Sequence, residues 1–266
     1  MPVESRVLSV HIEKTAGTSI QDLLESVLGK NRVLIYDPIR DTLTRSADLK
    51  VQRTNRVHDA LRLRIANTPL APLINKAYQV LIDGVLKPKV IQVTNLPDNF
   101  AAIHGHFAAN RFDQLITNPI SAVVIRDPLE RMESQYTHWQ RTKGITEWRV
   151  RIPFDSALTF EDYALLPQLQ NYQTQALGGK DLHAFAVVGV TNELDAFAQK
   201  LIRCLQNSGF VSRKEMGRHQ VKWLNRTPQF RQSSPTYEHD FLRRFQQFHE
   251  KDYLLYEQAQ ERVKEI

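Results

Sequence analysis

Cysteine is almost missing. Cys204 is the single one in 266 residues, so no intrachain disulfide can form. It lies in the apolar run Leu201-Ile202-Arg203-Cys204-Leu205 with no Cys/His metal spacing around it, which reads as a core thiol rather than a nucleophile or a zinc ligand. Long apolar runs are missing too, and no stretch is long enough to span a bilayer. The N-terminus has no signal-peptide pattern, because Glu4 and Arg6 interrupt it and a strand begins at once. Internal repeats and low-complexity segments are absent. Charge of one sign is only mildly in excess: 35 Lys and Arg against 29 Asp and Glu give a net charge of +6, with a pI near 9.4. That balance fits a polyanionic or nucleotide partner without identifying one. These absences lead us to expect a cytoplasmic protein of a reducing compartment, with no transmembrane segment.

What is present is ample apolar content for a core and a regular alternation of short apolar runs with amphipathic segments. The first run covers residues 6–12, and Ile20, Leu23, Leu24, Val27 and Leu28 then recur at helical spacing over 17–29, with Gly29 as the stop. Further strands are expected at Asn31–Tyr36, Val90–Val93, Ala102–Phe107, Ile120–Ile125 and Phe185–Val190. Helices are expected at Leu73–Leu86, from Asp127 onward, over 168–179, at Thr191–Leu205 and over 241–263, the last with Phe245, Phe248, Leu254 and Leu255 in the core. Residues 40–67, rich in Arg, Asp, Thr and Asn, read as a surface insertion or a polar helix. They form either a solvated charged face or a lining for an anionic acceptor. The pattern as a whole predicts one α/β domain over 1–266, a central parallel sheet flanked by helices.

Two strand-to-helix junctions carry chemistry. After the first strand, Lys14-Thr15-Ala16-Gly17-Thr18-Ser19 offers small residues, hydroxyls, a lysine and the N–H groups of a helix N-terminus, the parts of an anion cradle. A Walker-type P-loop needs Gly-x-x-x-x-Gly-Lys-Ser/Thr; here the lysine comes first and the leading glycine is missing, which turns the reading away from a nucleoside triphosphate. After Ile120–Ile125, Arg126 stands at the carboxyl end of a strand, where ligands of open α/β sheets bind. Asp127 reads as the helix N-cap, Pro128 as the first helical residue and Glu130 as the partner in a capping box.

These residues resemble a known family. His11-Ile12-Glu13-Lys14-Thr15-Ala16-Gly17-Thr18-Ser19 is similar to the 5′-phosphosulfate loop of the carbohydrate (Golgi-type) and bacterial sulfotransferases, written His-Ile-Pro-Lys-Thr-Ala-Gly-Thr-Ser. Arg126-Asp127-Pro128-Leu129-Glu130-Arg131 through Ser134 and Tyr136 resembles their 3′-phosphate motif, Arg-Asp-Pro-x-x-Arg-x-x-Ser-x-Tyr. Fainter similarity runs through Asn171–Gly179, Val188–Thr191, Leu224–Thr227 and Asp252–Tyr256. Residues 40–90 and 140–165 fall outside it and are expected to be acceptor-side insertions, mostly helical. Glu13 departs from the pattern, where the family often has proline.

The resemblance implies a P-loop NTPase-like sulfotransferase fold and a donor, 3′-phosphoadenylyl sulfate (PAPS), with 3′,5′-adenosine bisphosphate as its product and no metal required. It implies that Lys14 faces the bridging oxygen of the donor, and that Ala16 to Ser19, with the hydroxyls of Thr15, Thr18 and Ser19, hold the 5′-phosphate. Arg126 and Ser134 would hold the 3′-phosphate, and a late basic segment with Lys222 and Arg226 would cover the nucleotide. Arg131 either joins the phosphate site or pairs with a carboxylate. An acceptor hydroxyl needs a base, for which His106 is the first candidate, His104 the second and Glu13 the third. The implied acceptor is a carbohydrate or glycolipid, the implied setting a bacterial cytoplasm, and no nucleic-acid partner is expected. The alternatives are a P-loop-like kinase, which would need magnesium and ATP, and a non-catalytic nucleotide-binding protein.

Overall fold

The computed structural model describes residues 6–49, 90–144, 152–210 and 237–264. The expected helix at Leu73–Leu86, most of the 40–90 insertion, residues 145–151 of the 140–165 insertion, Lys222 and Arg226 lie outside the described residues. Seven strands are described: β1 (Val7–Val10), β2 (Val33–Asp37), β3 (Thr42–Arg45), β4 (Val90–Gln92), β5 (Ala102–Gly105), β6 (Ile120–Ile125) and β7 (Val187–Val190). They form one sheet in the order β4-β3-β2-β5-β1-β6-β7. The run β2-β5-β1-β6-β7 is parallel, and β3 and β4 add an antiparallel edge. In β1, β5, β6 and β7 every residue is buried. That is why these strands read as mostly apolar runs: helices cover both faces of a parallel sheet.

The helices are α1 (Gly17–Leu28), α2 (Pro128–Thr142), α3 (Phe160–Ala164), α4 (Tyr172–Ala176), α5 (Leu194–Asn207), α6 (His239–Phe248) and α7 (Glu250–Lys264). Ile20, Leu23, Leu24 and Leu28 of α1 and Phe197, Leu201 and Leu205 of α5 pack with Val7, Ala122, Val124 and Val187 on one face of the sheet. Met132 and Trp139 of α2, Phe241 and Phe245 of α6 and Leu255 and Ala259 of α7 pack with Leu8, Val10, Val123 and Ile125 on the other. Neighbours along each strand point to opposite layers, so Val7 and Leu8 serve different cores. Each buried large apolar side chain contributes about 1.5–3 kcal/mol. Gly29 ends α1 at φ 81, its N–H donating to the Glu25 carbonyl at 3.1 Å.

Three expectations need correction. The polar stretch after residue 40 begins as a strand, because Thr42-Leu43-Thr44 alternates and Leu43 is fully buried. The single helix expected over 241–263 is broken at His249. There the ring is pulled into the core, with Nε2 2.9 Å from the Ala164 carbonyl and Nδ1 accepting the Asn171 N–H at 3.3 Å. Leu254 is exposed at 51% while Leu255 is buried, since adjacent residues on a helix face directions about 100° apart. No helix among the described residues is long and apolar enough to cross a membrane.

Candidate functional site

The carboxyl ends of β5, β1 and β6 lie side by side, and the β1–α1 loop fills the space beyond them. In that loop Lys14 and Ala16 both adopt left-handed backbone conformations, φ 69 and 66. For residues with a side chain this costs about 1–2 kcal/mol each, and such outliers concentrate at functional sites. Ala16 occupies the cap position of α1 and offers no side-chain hydrogen bond. The left-handed Ala16 followed by the helical Gly17 turns successive N–H groups toward one concavity, where an anion is favoured. The Thr15 hydroxyl faces inward and donates to the Ile12 carbonyl at 2.9 Å, so it shapes the loop. Ser19 is buried beneath it, and Thr18 sits half-exposed in the first turn.

Three histidines stack beside this loop. The β1–β5 register sets Ser9 against His104 and Val10 against Gly105, which brings His11 level with His106. The His11 ring lies between the others, 4.0 Å from His106 and 5.2 Å from His104, centroid to centroid. It also rests on Gly17, where an added Cβ would fall 1.8 Å from His11 Nε2. Burial first, then the two neighbouring rings and Lys14, hold His11 well below the usual histidine range. His104 is 2% exposed, with Nδ1 2.9 Å from the Ser9 hydroxyl. Burial above all, and then His106, push it down to about 3. His106 keeps 15% of its side chain exposed. Its Nδ1 lies 2.8 Å from the His11 carbonyl, and a carbonyl only accepts, so Nδ1 carries the proton and the lone pair is on Nε2. Among the described residues no group of three or more His, Cys, Asp or Glu side chains could hold a metal ion.

Glu13 turns away from the loop concavity and into this cluster. Its Oε2 accepts the Tyr172 hydroxyl, and its Oε1 stands 3.6 Å from His106 Nδ1.

At the second junction Asp127 caps α2 as expected, accepting the Glu130 N–H at 2.9 Å, with Pro128 at the first helical position. The Glu130 side chain does not close the capping box. It lies 3.4 Å from Arg126 Nε instead. Arg126 reaches across to the β1–α1 loop, its Nη1 donating to the Lys14 carbonyl at 3.2 Å. Its backbone is clamped by the fully buried Gln173 amide, which accepts from Arg126 N at 3.0 Å and donates to Arg126 O at 2.8 Å. Asp252 in turn accepts from the backbone N–H groups of Gln173 and Thr174 at 3.1 and 2.8 Å. Ser134 is half-buried on α2, two turns beyond Arg126. Arg131 is buried and holds Gln135, with its guanidinium over the Tyr172 ring 4.9 Å from the centroid. Among the described residues it pairs with no carboxylate.

The fold thus brings Lys14, Thr15, Ala16, Gly17, Thr18, Ser19, His104, His106, Arg126 and Glu13 to one edge, while Arg226 lies outside the described residues. Four neighbours were not singled out from sequence. His11 shares the two-residue alternation of His104 and His106 on the adjacent strand, a signal that was present. His138 on α2 accepts from Arg141 at Nδ1, 3.1 Å away, and is held at about 4 by burial, then by Lys14 and Arg141. Tyr172 and Gln173 meet the site only through the fold, across 159 and 47 residues of chain. Tyr136 and Trp139 pack inward on α2: Trp139 is fully buried and Tyr136 donates to the Leu158 carbonyl at 2.8 Å. No protein-family model matches the chain, and no curated protein matches it.

Proposed function

We propose that the protein is a sulfotransferase, moving a sulfuryl group from PAPS to the hydroxyl of a carbohydrate or glycolipid acceptor. The observation that carries this reading is the hydrogen bond from Arg126 to the Lys14 carbonyl. It couples the two motifs that resemble a 5′-phosphosulfate loop and a 3′-phosphate site, and a nucleotide with phosphates at both ends of its ribose fits such a pair. In this reading the N–H groups of Ala16 to Ser19 and the Ser19 and Thr18 hydroxyls hold the 5′-phosphate. The Arg126 fork and Ser134 hold the 3′-phosphate. Lys14 faces the bridging oxygen, where charge grows as the sulfur–oxygen bond breaks.

The acceptor oxygen attacks sulfur in line, and the bridging oxygen leaves with the bond's electron pair. The acceptor's proton passes to a base. His106 is the histidine of the stack that suits this role, because it retains exposure and has its lone pair on Nε2. His104 is sealed off and resists protonation, which suits it to positioning.

The test is incubation with sulfur-labelled PAPS and a panel of saccharides and glycolipids, with a chelator present, alongside calorimetry with 3′,5′-adenosine bisphosphate. Label transfer and tight bisphosphate binding are the expected results. A protein that ignores the bisphosphate but binds ATP with magnesium would be a kinase, and the reading would fall.

A further inference from the structure

Glu13 is the residue of the loop that the motif does not account for, and its surroundings are specific. Its side chain is 12% exposed, between β1 and α4. Oε2 accepts the Tyr172 hydroxyl, and Tyr172 is itself fixed beneath the Arg131 guanidinium. Oε1 is buried, accepts no hydrogen bond among the described residues, and lies 3.6 Å from His106 Nδ1. A buried carboxylate oxygen without a donor is costly unless a cation forms beside it. The group that can become a cation there is His106. The other titratable groups around the ring are His11, stacked on it, His104 behind His11, and the Lys14 ammonium. Glu13 is the carboxylate that stands against this group of rings.

We infer that Glu13 is a positioning residue for His106: it orients the ring with the His11 carbonyl and steadies the imidazolium that forms when Nε2 takes a proton. The inference rests on the sulfotransferase reading for the source of that proton, the acceptor hydroxyl. As the acceptor oxygen bonds to sulfur, its O–H electron pair stays on oxygen and the proton moves to Nε2. Nδ1–H stays on the His11 carbonyl, with the Glu13 carboxylate 3.6 Å from Nδ1 as the charge that faces it. The tautomer is already set by His11, so Glu13 supplies charge rather than tautomer choice. Its removal lowers the rate without abolishing it. The pattern that the loop resembles often has proline at this position, which could not play this part.

Two variants separate charge from packing. Glu13→Gln keeps the shape and the bond from Tyr172 but removes the charge; Glu13→Asp keeps the charge on a shorter arm. In the labelled-transfer assay Glu13→Gln loses about 10- to 100-fold in kcat, with unchanged affinity for 3′,5′-adenosine bisphosphate. Glu13→Asp loses less. The reverse order, with the isosteric Gln more active than Asp, would show a packing role and overturn the inference. A second measurement needs no acceptor. The Nδ1–H proton of His106, assigned by its disappearance in His106→Gln, resonates far downfield in the wild-type NMR spectrum and moves upfield in Glu13→Gln. An unmoved resonance would overturn the inference whatever the transfer assay gives. Failure of the functional reading shows separately, as loss of bisphosphate binding by the wild-type protein.

Discussion

The two strand-to-helix junctions at the carboxyl edge of the sheet share a topology and finish their helices in opposite ways. At β6–α2 the chain satisfies its own helix end: the Asp127 carboxylate takes the Glu130 N–H, and Pro128 has no N–H to satisfy. At β1–α1 the cap residue is a left-handed alanine with no side-chain bond to give, preceded by a left-handed lysine. Both helix N-termini carry the same partial positive charge. One has its own anion built in and serves as scaffold. The other has a left-handed cap residue and no acidic side chain in its first turn. In the proposed reading it is the N-terminus without a side-chain cap that takes the ligand, and Arg126, anchored at the first junction, is hydrogen-bonded to the second.

The largest expected effect lies at the open junction. Lys14→Ala removes the cation facing the proposed bridging oxygen, and transfer from PAPS should fall about 10²- to 10³-fold. The thermal unfolding midpoint should change little, because alanine carries the same left-handed backbone cost as lysine. Wild-type turnover in Lys14→Ala would break the comparison, since the strained loop would then have no chemistry to justify it.

Next comes Gly17→Ala. In an ordinary helix this change gains about 0.5–1 kcal/mol. Here the new methyl would meet the His11 ring, which is held between His104 and His106. Displacing a packed ring costs about 1–3 kcal/mol, so the clash wins. Chemical denaturation should show net destabilisation, and transfer should fall with it because the stack that positions His106 is disturbed. A stabilised variant would mean that the ring moves freely.

How much of this was legible follows from how local each interaction is. The β1–α1 and β6–α2 junctions, the Asp127 cap and the Gly29 stop depend on residues within a few positions of one another, and the sequence shows them plainly. Strand β3 was hidden because only Leu43 carries its apolar signal. The break at His249 has no glycine or proline to announce it; it is imposed by Ala164 and Asn171, far away in the chain. Glu13 was opaque for the same reason, since Tyr172 and His106 reach it only once the sheet is formed. The fainter similarity around Asn171–Gly179 and Asp252–Tyr256 has a structural account: Asp252 holds the start of α4, and Gln173 then clamps Arg126.

Acid separates the two junctions by sign. His104 is neutral in the fold, at about 3 against 6.5 when free. The unfolded chain therefore binds the extra proton between those values. The stability His104 contributes is complete above pH 6.5 and is lost as pH falls toward 3, roughly 2 kcal/mol of it by pH 5. His11 acts in the same direction. Asp127 acts in the other, because burial first of all raises its carboxyl. Urea midpoints between pH 7 and pH 5 should fall for the wild-type protein and fall less for His104→Gln, which can still bond to Ser9. Equal slopes would mean that the β1 side does not depend on a neutral histidine.

The smallest effect tests the closed junction alone. Asp127→Ala removes the cap and should cost about 1 kcal/mol. Asp127→Asn keeps an acceptor for the Glu130 N–H and removes a charge that burial disfavours. A carboxyl raised in the fold favours folding most when protonated, and that contribution is lost as pH rises through the folded value. Asn should therefore match or exceed Asp at pH 7 and lose that advantage near pH 3, read as urea midpoints at the two pH values. Affinity for 3′,5′-adenosine bisphosphate should stay at the wild-type level in Asp127→Asn, because the cap faces its own helix and the binding is assigned to Arg126 and the β1 loop. If Asp127→Asn stays folded yet loses that affinity, Asp127 belongs to the cradle, and the division between a self-satisfied junction and an open one fails.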